Sequence, residues 1–406
     1  MTTNAVTTNA VTTAAVTTAA RLQWCPLLAL RLGALASLPL LLVGCGTQVS
    51  KEEPAQPFVF RSLNLLQKDP RGRPLWELTS PEVRYDLGRR VAQARDLRGT
   101  IYAKGQPLYR ITASSGTVIN DGEVVQLEGP TRLERLGPKP LVVTSTRVRW
   151  YPKQERMELD RSPRASQGEL LVSARRARFW IKQDKLELRG LPLLERSGAV
   201  GLKLALSSAD WFPTTGQLIG RGPVRGERRL ATSGVQTLSA PSLSGNSLLQ
   251  LIDLQAPVQV LDPGRKGRLD ASNTRLDLAR ERISSPHPFT AVLDQSRLSG
   301  TGFEAIGPSH TLVVPLNCRL TQPTDSLVAN RCSWNWQTNQ IEALGAVELR
   351  RKALGQVTRS KRLQGVLTKQ GLAVFSSPGA RVETRVTLPP RARSGPDSRK
   401  PAPFAL

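Results

Sequence analysis

The chain has 406 residues, of which 39% are hydrophobic and only 5% aromatic, a thin supply of core side chains for a large compact enzyme. Its formal net charge of +25 favours anionic partners such as nucleic acid, phospholipid or phosphorylated glycolipid. Basic residues alternate with apolar ones, as in Arg147-Val148-Arg149-Trp150, so we expect most of them on solvated strand faces. Composition therefore favours an extended, repetitive β structure with a narrow core.

Residues 1–45 have the pattern of an export signal. Residues 1–20 are a low-complexity repeat of Thr, Ala, Val and Asn, for which we expect no packed structure. The twelve residues from Leu32 to Val43 are an apolar run, too short to cross a bilayer of ~30 Å at 1.5 Å per residue and typical of a signal peptide. The Gly-Cys pair that follows resembles a bacterial lipobox, which predicts lipidation of Cys45.

Two other interpretations of this segment stay open, an ordinary secretory signal and an uncleaved membrane anchor from Leu22 to Val43. Arg31 would lie inside such an anchor, where a charged residue costs about 2.5–3.5 kcal/mol. Residues 46–57, polar with two prolines, are predicted to be a tether. We therefore expect a periplasmic protein held to a membrane by its N-terminus, the inner membrane in preference to the outer.

A family pattern covers residues 58 to about 135. It consists of an early strand element and a later element with spaced glycines. Its positions are Gly72, Pro74, Trp76 and Leu78, followed by Ala113, Gly116, Gly122, Leu127 and Gly129. The pattern resembles the LptC family, the periplasmic component of the lipopolysaccharide export machine. The chain beyond residue 113 also resembles the related OstA-type fold of bridge and assembly proteins.

A hairpin unit recurs from residue 113 onward. In its clearest copy, Ala174 to Gly190, two strands flank a polar turn and the second strand alternates leucine with charged residues, as expected for a half-covered strand. Copies share an apolar residue at start plus 12, and several have glycine at start plus 16. The good copies start at Ala113, Ser145, Ala174, Leu206, Ala329 and Ser360, the weaker ones at Ala240 and Ala271, and none aligns near Thr301. Starts spaced by about 30 residues indicate stacked hairpins.

We predict two tandem β domains, residues 58–230 and 231–388, and a disordered tail, residues 389–406, that is rich in Pro, Arg and Ser. Cys318 and Cys332 lie fourteen residues apart in the second domain. In an exported protein such a pair can bridge adjacent strands. Two free buried thiols are the alternative.

The sequence shows no pattern of an ordinary enzyme. Its two histidines, His287 and His310, have no Cys, Asp or Glu around them at ligand spacing. There is no phosphate-binding loop and no nucleophile elbow. Carboxylates such as Asp121 and Asp184 fall in predicted turns, where local backbone bonding explains them. We therefore expect neither catalysis nor a metal or cofactor.

The family resemblance implies an all-β fold in which stacked β-hairpins form an open, twisted β-jelly roll, here two in tandem. Its apolar trough would accept lipopolysaccharide from an inner-membrane ABC transporter. Its edge strands would add to a periplasmic bridge protein of the OstA/LptA type. The predicted trough residues are the inward rows Val118, Val125, Leu127, Met157, Leu159, Leu186 and Leu188. The same alternation also fits closed-core residues without a ligand.

Two other functions stay open. A trough packed shut by large side chains would favour an envelope scaffold lipoprotein without lipid transfer. The charge suggests a polyanion binder, which needs exposed aromatics within a basic patch. Because aromatics are few and an export signal is predicted, we do not expect nucleic acid as a partner.

Overall fold

A computed structural model describes residues 58–196, 201–230, 234–368, 371–375 and 382–387, all of which lie in one compact unit. These residues form 34 antiparallel β-strands and four short 3-10 turns. The predicted all-β fold of stacked hairpins is thereby confirmed. No helix in these ranges is long and apolar enough to cross a membrane. Cys45, the tether and the tail 389–406 lie outside the described residues.

The strands follow one another closely along the chain. The first twelve are β1 Phe58–Phe60, β2 Leu63–Lys68, β3 Pro74–Ser80, β4 Glu82–Asp86, β5 Val91–Ala103, β6 Gln106–Ile119, β7 Val124–Arg135, β8 Val142–Tyr151, β9 Arg156–Leu159, β10 Arg164–Gln167, β11 Leu170–Ser173 and β12 Arg176–Trp180. The next twelve are β13 Lys185–Arg189, β14 Leu193–Arg196, β15 Leu202–Ala205, β16 Ser208–Phe212, β17 Gln217–Arg221, β18 Val224–Leu230, β19 Gly234–Ala240, β20 Leu243–Asn246, β21 Leu251–Leu254, β22 Val258–Asp262, β23 Gly267–Ala271 and β24 Thr274–Asp277. The last ten are β25 Arg282–Leu293, β26 Ser296–Ile306, β27 Thr311–Val314, β28 Leu316–Thr321, β29 Asp325–Ala329, β30 Arg331–Asn335, β31 Gln340–Arg351, β32 Gln356–Thr368, β33 Gly371–Phe375 and β34 Glu383–Val386. The 3-10 turns are Asn120–Gly122, Pro152–Gln154, Pro263–Arg265 and Lys352–Leu354.

The sheet folds over into two facing layers, here called wall 1 and wall 2. Wall 1 contains β1, β4, β9, β12, β13, β16, β17, β20, β21, β24, β27, β30 and β33, and wall 2 contains β2, β3, β10, β11, β14, β15, β18, β19, β22, β23, β28, β29 and β34. The long strands β5 to β8, β25, β26, β31 and β32 give one half to each wall. Ring contacts join the walls: Trp76 of wall 2 meets Trp150 of wall 1 with 5.4 Å between centroids. Tyr109 of wall 2 meets Phe179 of wall 1 at 5.6 Å.

Glycine marks corners at which the chain passes from one wall to the other. Gly129, Gly190, Gly222 and Gly345 stand at start plus 16 of their repeats and have φ between +72° and +81°, a region that costs a residue with a side chain about 1–3 kcal/mol. A Cβ on Gly190 would come within 2.9 Å of the Cβ of Arg175, the residue at start plus 1. At Gly190, glycine therefore serves both the backbone conformation and the close approach of the neighbouring chain.

The structure contains a further copy of the hairpin unit near Thr301, where no copy could be aligned from the sequence. Strand β26 ends at Ile306, a turn follows, and β27 begins at Thr311. Asn317 occupies start plus 16 of this copy, with a φ of +55°. Asparagine tolerates the left-handed region better than other residues with side chains. This corner therefore lacks the glycine that marks four of the other copies.

Buried hydrophobic side chains form two clusters along the space between the walls. The first runs from Trp76 to Leu276 and the second from Ala271 to Leu363. Strands β18 and β19, on either side of residue 231, pair with each other as one hairpin. The division into domains 58–230 and 231–388 stays a prediction, and the change of cluster lies farther along the chain.

Candidate functional site: openings between the two walls

Opposite the corners, the walls end in two rows of turns, and cavities open between these rows in the described part of the chain. The first opening has a volume of about 890 Å³. Its floor consists of Trp76, Ile101 and Leu108 from wall 2, facing Trp150 and Ile181 from wall 1. The volume of this opening falls within the usual range of small-molecule sites, which are mostly apolar.

The rim of the first opening is charged. The Arg90 guanidinium pairs with Asp121, and Lys153 Nζ lies 3.0 Å from Glu123 Oε1. The hydrogen bond from Arg90, with one from the Tyr85 hydroxyl, lowers the pKa of Asp121; that from Lys153 lowers the pKa of Glu123. Among the described residues, the exposed rim lysines Lys104 and Lys182 have no carboxylate partner.

The second opening has a volume of about 350 Å³ and is lined mainly by aliphatic side chains. They come from both walls and are Leu170, Leu194, Leu202, Leu204, Leu218 and Ile252. At its rim, Arg196 Nε lies 3.0 Å from Glu169 Oε2. The buried amide of Gln167 also lines this opening, and its two polar atoms lack hydrogen-bond partners in the described part of the chain.

The third opening, about 420 Å³, lies in the second cluster and is lined by Leu298, Leu312, Val314, Leu320, Ile341 and Leu367. Its rim carries Asp294, Gln295 and Asn339. Cys332 lines it and is joined to Cys318 by a disulfide bond between β30 and β28. The bond therefore connects wall 1 to wall 2 beside this opening.

A polar contact between the walls, here called the latch, closes the space between the first and second openings. Arg135 of wall 2 lies with Nη1 3.3 Å from Asp184 Oδ1 of the β12–β13 turn and donates to Thr214 Oγ1 at 2.7 Å. The same guanidinium donates to the Lys139 carbonyl. The Tyr109 hydroxyl donates to Asp184 at 3.3 Å, and burial is the main reason that the pKa of this phenol is raised.

The seven residues predicted to line the trough are all buried in the first cluster. They are Val118, Val125, Leu127, Met157, Leu159, Leu186 and Leu188, and none of them lines any of the three openings. The lining positions lie instead near the ends of strands. Alternation identified the inward face, but not which inward positions adjoin the turns, so Leu108, Leu170 and Gln167 were missed.

In the described ranges, no three His, Cys, Asp or Glu residues are grouped so that they could hold a metal ion.

The outermost strands of both walls are open to pairing. Within the described residues, β1 pairs with β4 alone and β2 with β3 alone. At the other end, β33 and β34 each pair with β32 alone.

Comparison with known proteins gives one family and one set of structures. Residues 28–190 match the family model described as "Lipopolysaccharide-assembly, LptC-related", and no curated protein matches the chain. Thirteen chains of solved structures match. One is LptH of Pseudomonas aeruginosa, described as the LptA homologous periplasmic component of the conserved lipopolysaccharide transport device, with 17% identity, 30% of this chain and 85% of that chain covered, and a TM-score of 0.26. The family model confirms the resemblance drawn from the sequence: residues 28–190, which include the whole first opening, are similar to LptC-related proteins.

Proposed function

We propose that this protein is a periplasmic, non-catalytic component of lipopolysaccharide export that accepts the acyl chains of the lipid between its two walls. The first opening is the observation that carries this proposal, because it combines an apolar floor with a charged rim that includes Lys104 and Lys182, inside the segment that matches the LptC-related family model. An amphiphile with hydrocarbon chains and anionic groups is the ligand class that such a site fits.

The floor and the rim would act on different parts of the lipid. Burial of hydrocarbon is worth about 0.8 kcal/mol per CH₂ group, and the half-buried side chains of Leu108 and Ile181 offer apolar surface for it beside the edges of the two buried indole rings. Lys104 and Lys182, which have no carboxylate partner among the described residues, would pair with phosphate groups at the rim. The lipid would thus lie with its chains between the walls and its charged head in water.

Transfer along the molecule would use the succession of openings. We propose that the chain receives lipopolysaccharide from an inner-membrane ABC transporter while Cys45 or the uncleaved N-terminal segment holds it at the membrane. Edge strands at one end of the walls would then add to a bridge protein of the OstA/LptA type. Within the described residues, β33 and β34 each pair with a strand on one side alone, which supports such strand addition.

Photocrosslinking of the purified protein to lipopolysaccharide tests the proposal. A photoreactive residue at Leu108, half-buried in the first opening, should form a lipid adduct. The matched control is Arg110, two residues along the same strand and exposed. Equal labelling at both positions, or no adduct at Leu108, would contradict the proposal.

One observation favours a scaffold without lipid transfer. The space between the walls contains large, fully buried side chains, among them Tyr109, Trp150, Phe179 and Trp211. A space packed to this density holds no chain unless side chains move. A scaffold of this kind would still support assembly of the envelope when Leu108 and Leu170 are both replaced by Asp, whereas a lipid carrier would lose its function.

A further inference from the structure

The second opening contains a polar group where the strand pattern calls for an apolar one. Gln167 ends β10 and shares the inward face of that strand with buried Ala165. Only 8% of Gln167 is exposed, and both its Nε2 and its Oε1 lack a hydrogen-bond partner in the described part of the chain. Because a buried amide without partners is destabilising, this side chain calls for a partner that enters the opening.

A second unpaired group faces the same opening from the other wall. Oε1 of Gln250, in the β20–β21 turn, is buried and has no partner among the described residues. Three groups at this opening therefore have no partner among the described residues. Two are acceptors, Oε1 of Gln167 and Oε1 of Gln250, and one is a donor, Nε2 of Gln167. A hydroxyl group is the simplest ligand group that both donates and accepts, whereas an ester carbonyl would satisfy only the donor.

The remaining lining determines what carries that hydroxyl. The opening is surrounded by leucine and isoleucine side chains from both walls. Its basic side chains are Arg196, which is paired with Glu169, and exposed Lys139. Its volume of about 350 Å³ lies at the small end of ligand sites. Such a lining fits a hydrocarbon chain whose anionic end lies at the rim.

We propose that the second opening is a binding site for a hydroxylated acyl chain, in which Gln167 and Gln250 bond the hydroxyl group. The hydroxyl must lie close to the head of the chain, because Gln167 stands next to the 168–169 turn at the open edge. This inference deepens the proposed lipid function by assigning a chain type to one opening. It concerns a site formed partly by residues beyond 190.

Calorimetric titration of the purified full chain with 3-hydroxydecanoate and with decanoate tests the inference. The hydroxylated chain should bind roughly tenfold more tightly, the ratio expected for one net hydrogen bond. In Gln167→Leu this preference should disappear, because the leucine retains the apolar contacts but bonds no hydroxyl. The control Gln93→Leu, on an exposed face of β5, should leave the preference unchanged.

The melting temperature of the unliganded protein gives a second readout, in which Gln167→Leu should be favourable although it weakens binding of the hydroxylated chain. Without ligand, Gln167→Leu should raise the melting temperature, because it removes an unsatisfied buried amide. Equal affinity of the wild type for the two fatty acids, or an unchanged preference in Gln167→Leu, would overturn the inference. If that happens while Leu108 still forms lipopolysaccharide adducts, the proposed function survives. A preference lost in Gln167→Leu without any adduct at Leu108 would instead keep this site and reject lipopolysaccharide carriage.

Discussion

Arg135 and Asp184 join the two walls across a sequence separation of 49 residues, with Nη1 and Oδ1 3.3 Å apart. The Arg135 side chain is only 7% exposed and that of Asp184 23% exposed. Arg135 donates to the carbonyl of Lys139, which lines the second opening, and Asp184 follows Lys182, which lines the first, by two residues. The latch therefore adjoins both openings, and hydrocarbon that extended from one toward the other would meet it.

Asp184→Asn should lower stability by about 1–3 kcal/mol, since it removes the charge that compensates a buried guanidinium. Urea denaturation, monitored by tryptophan fluorescence, measures the change. The matched control is Asp86→Asn, whose partner Arg89 is largely exposed at 3.7 Å. That pair should contribute less than about 1 kcal/mol, and equal losses in the two variants would contradict a structural role for the latch.

Gly222→Ala should destabilise the protein by about 1–3 kcal/mol through its positive φ alone. Gly222 has a φ of +81°, and an added Cβ would overlap the side chain of Ser207. Thermal unfolding measures the loss. Gly201→Ala serves as the control, because no atom of the described residues lies within 4 Å of a Cβ there and its φ is not in the left-handed region; a comparable loss at this position would refute the corner argument.

Acid should destabilise the folded state partly through Asp210. Its side chain is 6% exposed, and Arg189 and Arg221 both donate hydrogen bonds to it. Burial acts to raise the pKa of Asp210, but the bonds from Arg221 and Arg189, with the charge of Lys185, outweigh it and leave the pKa lowered. A lowered folded-state pKa means that the stabilisation is present above the unfolded value of about 3.9 and is lost as pH falls through the folded value.

Asp210→Asn should therefore be less stable than the wild type at neutral pH, and the difference should shrink below about pH 4. Unfolding free energies measured from pH 3 to pH 7 give both results. A difference that stays constant over this range would show that the carboxylate charge contributes nothing.

Removal of the disulfide should weaken the second cluster. Cys318 and Cys332 are 14 residues apart and join the walls beside the third opening. Closure of a loop of this length is worth about 3 kcal/mol. The double variant Cys318→Ser with Cys332→Ser should unfold at a lower temperature than the oxidised wild type; an unchanged midpoint would mean that the two thiols are not bonded in the exported protein.

Much of the fold followed from repeating local signals. Polar residues between alternating runs mark the turns at 120–122, 152–154 and 213–216, and the structure has turns there. The pattern of a single hairpin did not predict that long strands such as β5 and β6 pass through both walls. The course of these strands depends on pairing with other strands, which one hairpin does not contain. Likewise, the lining of the openings depends on how the two rows of turns face each other. Gln167 could nevertheless have been predicted from the sequence, because it is a polar residue two positions after Ala165 and therefore lies on the same inward face of the strand.

The most direct test of lipid handover is photocrosslinking in living cells from Leu108 and Leu170, which are half-buried in the first and second openings. The account predicts lipopolysaccharide adducts at both positions that diminish when ATP is depleted, and none at exposed Arg110 and Glu128. Properly exported protein that forms no adduct at either opening, or equal adducts inside and outside the walls, would contradict it.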